Sequence, residues 1–229
     1  MDYKRNNVSA CNQMINSSDL SFLGNESAKV RILIVGNSIT RHGPKEDIGW
    51  AGDWGMAASA PEKDYVHRLY AKLTENGCDV YMRIRQASFW ERNYRDDILK
   101  EYYTQDRDFE ADIVIFRLGE NVQEEGAPYL KDAIEKFIHF ICPTRGKTIF
   151  TTCFWARDTV DNPIREVAKA RGETCVELGD LCKEETNMAL GQFEHFGVSI
   201  HPSDKGMEEI AEVIYCAIEK NRSFKGKKI

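Results

Sequence analysis

The sequence lacks the patterns that mark membrane and exported proteins. No stretch approaches the roughly 20 consecutive apolar residues that a membrane-spanning helix needs. The N-terminus also has no charged start followed by an apolar run, which is the pattern of an export signal. We therefore expect no membrane association, and a cytoplasmic location unless an export signal was removed.

Basic surface patterns and cysteine pairs are missing as well. The formal net charge is -6, and the main basic cluster, Lys225, Lys227 and Lys228, predicts a solvated tail. Because binding to a phosphate backbone needs a basic face, we expect no nucleic-acid partner. The seven cysteines contain no C-x-x-C pair, which argues against a disulfide framework and a zinc ribbon and favours free thiols.

Motifs for phosphate and metal binding are absent. Neither G-x-x-x-x-G-K-[ST] nor G-x-G-x-x-G occurs, so nucleotide binding is a minor alternative. A metal cluster of His42, His195 and His201 is conceivable, but no ligand signature such as H-E-x-x-H supports it. We expect neither a metal ion nor a cofactor.

The composition is that of an ordinary globular protein. With 229 residues, 42% hydrophobic and 30% charged, the chain is long enough to bury one sizeable core. Residues 1–28 are polar and aperiodic, which predicts a loose N-terminal arm. Residues 29–229 are expected to form a single domain, and nothing in the pattern indicates an oligomeric state.

Short apolar segments alternate with amphipathic ones along this domain. The apolar segments predict strands at 30–35, 80–84, 112–118, 148–152 and 174–178. Apolar residues three or four apart predict helices at 64–76, 93–103, 129–141, 164–171 and 204–219. This alternation favours an α/β fold, a three-layer α/β/α sandwich around a five-stranded parallel sheet in flavodoxin-like order.

Residues that follow the strands should meet at the carboxyl edge of the sheet, where ligands bind in such folds. Ser38 follows the first strand in a turn after Gly36, a position from which a serine hydroxyl can act as nucleophile. The alternative is that Ser38 only caps a helix. Asn121, after the third strand, could donate a hydrogen bond to an oxyanion or could serve loop geometry. His201 precedes the last helix and could act as a base.

Three short blocks together resemble the SGNH, or GDSL-type, hydrolase superfamily. The blocks are Gly36-Asn37-Ser38-Ile39-Thr40, Gly119-Glu120-Asn121 and His201-Pro202, and the resemblance covers residues from about 30 to 221. It implies a serine ester hydrolase that works through an acyl-enzyme. Ser38 would be the nucleophile, His201 the base, and the Ser38 N–H and the Asn121 side chain part of the oxyanion hole.

The sequence departs from this family at two positions that matter for the chemistry. The family usually has an aspartate three residues before the histidine, where Val198 stands here. Glu194 is the first substitute candidate, although a backbone carbonyl or a Ser-His dyad would also serve. The family also has a glycine that supplies an oxyanion N–H after the second strand, and Glu91 is the nearest match. A backbone N–H survives this substitution, so the donor is expected to persist.

The four tryptophans all follow predicted strands. Trp50, Trp54, Trp90 and Trp155, together with Asn37, are therefore candidates for substrate binding, because indole faces suit sugar rings. The alternative is that the indoles cover the core or mediate self-association. The sequence thus predicts removal of short acyl groups from a carbohydrate or similar small molecule. A lipase or thioesterase, or a catalytically impaired carbohydrate-binding relative, remains the alternative.

Overall fold

The computed structural model describes residues 20–142 and 146–221. Residues 1–19 of the predicted arm, Cys11 and the C-terminal lysine cluster lie outside the described residues. One mixed sheet runs through the described part of the chain. Its strands are β1 (Leu20–Gly24), β2 (Val30–Gly36), β3 (Val80–Gln86), β4 (Ile113–Arg117), β5 (Lys147–Thr151) and β6 (Thr174–Val176).

The strand order is β1-β3-β2-β4-β5-β6. Strands β2 to β6 are parallel to one another, and their order confirms the predicted flavodoxin-like core. The sheet nevertheless has six strands rather than five, because β1 pairs antiparallel with β3. This strand lies within the predicted loose arm, in a short, partly exposed segment at the sheet edge. Phe22 anchors it by stacking on Tyr81, with ring centroids 5.5 Å apart.

Helices cover both faces of the sheet and complete the three layers. They are α1 (Tyr65–Glu75), α2 (Ser88–Asn93), α3 (Leu99–Tyr102), α4 (Thr104–Asp108), α5 (Ala127–Ile141), α6 (Asp158–Arg171), α7 (Phe196–Ser199) and α8 (Asp204–Lys220). Successive strand residues point to opposite faces. Ile32 and Ile34 of β2 therefore join the core under α1 and α8, whereas Leu33 and Val35 join the core under α5 and α6.

Two of the predicted helices differ from the structure. The single helix predicted at 93–103 is replaced by α2, α3 and α4, because the polar segment that follows Asn93 forms turns. The helix predicted at 164–171 begins at Asp158, so that Pro163 lies inside it. Pro163 is the sixth residue of α6, beyond the four N–H groups that have no helical partner, so the helix forms without one internal hydrogen bond near its start.

Two expectations from composition can be compared with the described residues. Within 20–142 and 146–221, none of the helices has the length and apolar character needed to cross a bilayer. The expectation of free thiols is confirmed for the described cysteines, Cys78, Cys142, Cys153, Cys175, Cys182 and Cys216.

Candidate active site

Ser38 lies in a tight turn at the carboxyl end of β2. The N–H groups of Thr40 and Arg41 both donate to the Asn37 carbonyl oxygen, at 2.9 and 3.0 Å. A Cβ atom at Gly36 would collide with the Thr40 side chain, so the turn needs a glycine at this position. The turn leaves the Ser38 side chain partly exposed at the edge where the parallel strands end.

His201 reaches Ser38 from the loop between α7 and α8. The Ser38 Oγ and the His201 Nε2 are 2.8 Å apart, so the predicted meeting of these two side chains is observed. Trp155 follows β5 and packs edge-on against the imidazole, with ring centroids 5.3 Å apart. The folding of distant segments onto one sheet edge thus builds a serine-histidine pair.

The other imidazole nitrogen determines which form His201 takes. Its Nδ1 is 2.6 Å from the Gly197 carbonyl oxygen. Because a carbonyl can only accept, the proton lies on Nδ1 and the Nε2 lone pair accepts from the Ser38 hydroxyl. Burial, the largest effect, and the nearby His42 lower the pKa of His201 to about 4, although the Gly197 hydrogen bond acts in the opposite direction. The imidazole is therefore neutral near pH 7 and can accept a proton.

Among residues 20–142 and 146–221, the hydrogen-bond partner of His201 Nδ1 is a backbone carbonyl and not a carboxylate. Glu194, the predicted substitute acid, is exposed, and the Nδ1 hydrogen bond goes to Gly197 instead. Val198, where the family pattern has aspartate, is fully buried in a small apolar cluster with Trp50. The backbone carbonyl, one of the alternatives left open by the sequence, occupies the orienting position.

A buried polar network lies beneath the serine turn. The Arg117 guanidinium donates to Glu120 at 2.6 and 2.9 Å and to the Asn37 Oδ1 at 3.1 Å. The Asn37 Nδ2 donates to Glu120 at 2.6 Å. Asn37 is fully buried, so the prediction that it binds substrate is wrong, and its side chain instead supports the turn that carries Ser38.

The turn after β4 depends on Gly119. This residue has φ +150°, a conformation that other residues rarely adopt, and a Cβ would collide with the Cys153 sulfur. The Val122 N–H donates to the Gly119 carbonyl at 3.0 Å and closes the turn. The turn brings the Asn121 side chain, a predicted oxyanion donor, to the same edge of the sheet as Ser38.

Glu91 takes part in the site through its side chain rather than its backbone. The Glu91 N–H donates to the Ala87 carbonyl at 3.4 Å at the start of α2, so the prediction of a free backbone donor is wrong. The buried carboxylate accepts from the Gly119 N–H at 2.6 Å, the Asn121 Nδ2 at 2.6 Å and the Asn37 Nδ2 at 3.1 Å. The side chain thereby holds the Asn121 amide in place.

The pKa values of the two buried carboxylates, Glu91 and Glu120, are shifted in opposite directions. Burial is the largest effect on Glu91, and with the charge of Glu120 it raises the Glu91 pKa to about 7. Burial also acts to raise the pKa of Glu120, but the charge and hydrogen bonds of Arg117 and further donors outweigh it, so that pKa is lowered. The difference arises because the guanidinium contacts Glu120 directly.

Three of the four tryptophans have packing contacts that explain their position. Trp90 is buried and stacks on Phe137. Trp50 is also buried, and its indole N–H donates to the His42 carbonyl at 2.8 Å. The prediction that these two tryptophans bind substrate is therefore wrong. Trp54 is half-buried and donates to the Ala58 carbonyl at 2.8 Å. Trp155 remains as the tryptophan beside the serine-histidine pair.

Sequence reasoning missed three groups of the site. Arg117 lies within the strand predicted at 112–118 and ends β4, and a charge in a buried strand is itself a signal of a buried ion pair. Glu120 lies inside the block Gly119-Glu120-Asn121, but its pairing with Arg117 depends on the geometry of the turn. The Gly197 carbonyl carries no sequence signal, because every residue has one.

Solved structures of similar fold include hydrolases. The chain is similar to a family 3 carbohydrate esterase from Clostridium thermocellum, with 17% identity and a TM-score of 0.59 over 85% of this chain and 98% of that one. It is also similar to a lipase/acylhydrolase from Enterococcus faecalis (16% identity, TM-score 0.55, 83% and 96% covered). A GDSL-like lipase structure from Parabacteroides merdae gives 15% identity and a TM-score of 0.54, with 85% and 98% covered.

The sequence comparisons add no family assignment. No protein-family model matches the chain, and no curated protein matches it. The similarity to solved structures is therefore one of fold, since the identities are low. The described chain has the fold of the GDSL-type, or SGNH, hydrolases.

Proposed function

We propose that this protein is a serine ester hydrolase with Ser38 as nucleophile and His201 as general base. The observation that carries the proposal is the 2.8 Å distance between Ser38 Oγ and His201 Nε2, with Nδ1 oriented by the Gly197 carbonyl. A serine hydroxyl is a weak nucleophile until a neighbouring base accepts its proton. The pair supplies that base in its neutral form.

The first half of the reaction forms an acyl-enzyme. Ser38 Oγ attacks the ester carbonyl carbon as its proton moves to His201 Nε2, and the carbonyl π electrons move to the oxygen. The Ser38 N–H and the Asn121 amide would stabilise this oxyanion. The carbon–oxygen bond to the alcohol then breaks, and the alcohol leaves with the proton from His201.

The second half repeats these steps with water. His201 Nε2 accepts a proton from water as the water oxygen attacks the acyl carbon. The collapse of the second tetrahedral intermediate breaks the bond to Ser38 Oγ, and the proton returns to that oxygen. The products are a carboxylic acid and the free serine, so no cofactor is needed.

Short acyl esters of a carbohydrate are the substrate class that we favour. Trp155 lies beside His201 and is partly exposed, so its indole could contact a sugar ring. The similarity of the fold to a family 3 carbohydrate esterase agrees with this choice. The alternative is a lipase or thioesterase, since the fold is equally that of a lipase/acylhydrolase.

A catalytically impaired, carbohydrate-binding relative is the second class of function. It was suggested by Val198 in the place of the family aspartate. The Gly197 carbonyl weakens that argument, because it holds the imidazole in the tautomer that a carboxylate would otherwise select.

The test is hydrolysis of acyl esters by the wild type and by Ser38→Ala. We expect release of acetate from acetyl esters, including acetylated sugars, and loss of nearly all turnover in the variant. Full turnover by Ser38→Ala would rule out this nucleophile. A strong preference for long acyl chains would favour the lipase alternative, and sugar binding without any turnover would favour the impaired relative.

A further inference from the structure

The Glu91 carboxylate occupies the side of the site where an oxyanion would form. It reaches the Asn121 Nδ2 with its Oε2 at 2.6 Å, while its Oε1 accepts from the N–H groups of Gly119 and Asn121 at 2.6 and 3.3 Å. Oε1 also accepts from the Asn37 Nδ2 at 3.1 Å. All of these donors are uncharged, so none of them neutralises a negative charge on Glu91.

In the part of the chain that the structure describes, the hydrogen bonds to the Glu91 carboxylate come from neutral groups and not from a cation. The Arg117 guanidinium contacts Glu120 and the Asn37 Oδ1, and Glu120 shares the Asn37 Nδ2 with Glu91. Three other basic residues lie on the surrounding elements. Arg157 pairs with Glu124, and His201 is neutral near pH 7. Arg92 is the residue after Glu91 on α2. Two carboxylates thus lie around a single guanidinium.

An oxyanion would add another negative charge at the Asn121 amide. One hydrogen of the Asn121 Nδ2 points to Glu91, and the second would point to the oxyanion. An ionised Glu91 would then lie two hydrogen bonds from the oxyanion, in a buried site where like charges repel strongly. A protonated Glu91 removes this repulsion, because only the paired Arg117 and Glu120 remain charged.

We propose that Glu91 is a positioning residue whose proton controls the oxyanion hole, so that ester hydrolysis proceeds with Glu91 protonated and stops when it ionises. This inference rests on the proposed function. Within the described residues Oε2 accepts from the Asn121 Nδ2, whereas Oε1 accepts from three donors, so Oε2 is the oxygen that would carry the proton. The carboxyl thus holds the Asn121 amide through a contact that responds to pH.

The pKa values give the direction of the effect. The pKa of Glu91 is raised to about 7, so its proton is lost as the pH rises through neutrality. The pKa of His201 is lowered to about 4, so the base becomes active as the pH rises through that value. Activity is therefore expected between these limits and lost on the alkaline side, where an ordinary serine hydrolase stays active.

The experiment is the pH profile of kcat/KM for acetyl ester hydrolysis, measured as acetate release with Ser38→Ala as the blank. From about pH 6 to about pH 9 the wild type should lose about 100-fold, because an inactive anion lowers the rate tenfold per pH unit above the pKa. Glu91→Gln cannot ionise and should lose less than about threefold over the same range. The matched control, Glu166→Gln, removes an exposed carboxylate and should keep the wild-type profile.

Three results would overturn the inference. A wild type that hydrolyses esters with a flat alkaline limb would refute the role of Glu91 and leave the proposed function intact. If Glu91→Gln is folded by circular dichroism and its kcat/KM falls at alkaline pH as much as that of the wild type, another group causes the alkaline decline. If the wild type shows no turnover and no reaction with a fluorophosphonate, the proposed function fails and this inference fails with it.

Discussion

The two sides of Ser38 satisfy their polar groups in different ways. On the base side, His201 is neutral and its Nδ1 donates to the Gly197 carbonyl. On the oxyanion side, Asn121 is held by the Glu91 carboxylate, next to the Arg117–Glu120 pair. The base side thus uses a backbone carbonyl to orient its residue, whereas the oxyanion side uses a buried carboxylate.

The largest effect is expected on the base side. His201→Ala removes the group that accepts the Ser38 proton, so kcat for acetyl ester hydrolysis should fall by at least about 10³-fold. The measurement is steady-state kinetics at about pH 6.5. A loss of less than about tenfold would show that another group serves as base. Combining it with Ser38→Ala should cost little more than either change alone, because the two residues act as a unit.

The next largest effect is expected on the oxyanion side. Asn121→Ala removes an amide donor to the transition state and should lower kcat by about 10²- to 10³-fold with little change in KM. Asn121→Asp should be at least as inactive, since it places a second carboxylate against Glu91. A change confined to KM would show that Asn121 binds the ground state instead.

The pH dependence of the free energy of unfolding is expected to differ between the two sides. The folded-state pKa of Glu91 is raised from its ordinary value of 4.5 to about 7, so the stability that it contributes is present below pH 4.5 and lost as the pH rises through 7. The free energy of unfolding should therefore fall by about 3 kcal/mol more in the wild type than in Glu91→Gln between about pH 4 and pH 8. Urea denaturation at each pH gives the comparison, and parallel curves would contradict it.

His201 should act in the opposite direction on stability. Its pKa is lowered from 6.5 to about 4, so stability is lost as the pH falls through this range. In His201→Gln, the decline in unfolding free energy on the acid side should be smaller than in the wild type by about 3 kcal/mol. An unchanged acid limb in the denaturation series would show that burial does not hold this imidazole neutral.

The smallest effect is expected at the acid that the sequence favoured. Glu194 is exposed and the Nδ1 hydrogen bond of His201 goes to a backbone carbonyl, so Glu194→Gln should change kcat by less than about twofold. Steady-state kinetics over the pH range decide the point. A loss above about tenfold would return the orienting role to this carboxylate and would remove the contrast between the two sides.

The base side of the site was largely predictable from the sequence, because the strands and helices that position it follow strong local rules. Apolar periodicity fixed the parallel strands, and the topology of such sheets brings Ser38, Asn121 and the loop of His201 to one edge. The edge strand β1 was not predicted, because a short, half-exposed segment has almost no periodic signal. Its pairing with β3 is a tertiary contact that local pattern does not encode.

The oxyanion side was less predictable for a physical reason. A charged residue at the position of Glu91 is ordinarily taken as exposed, and its burial depends on donors from two other segments, the turns after β2 and β4. The positions of Trp50 and Trp90 after strands suggested a substrate rim, but only the packing of neighbouring segments decides whether an indole faces solvent or the core. Side-chain networks of this kind require the coordinates.

The most direct test of the central claim is covalent labelling with a fluorophosphonate, followed by mass-spectrometric mapping of the modified peptide. We predict one adduct, on Ser38, formed at a rate that falls at least about 10³-fold in His201→Ala. An adduct on another residue, or labelling of Ser38 at an unchanged rate without His201, would contradict it.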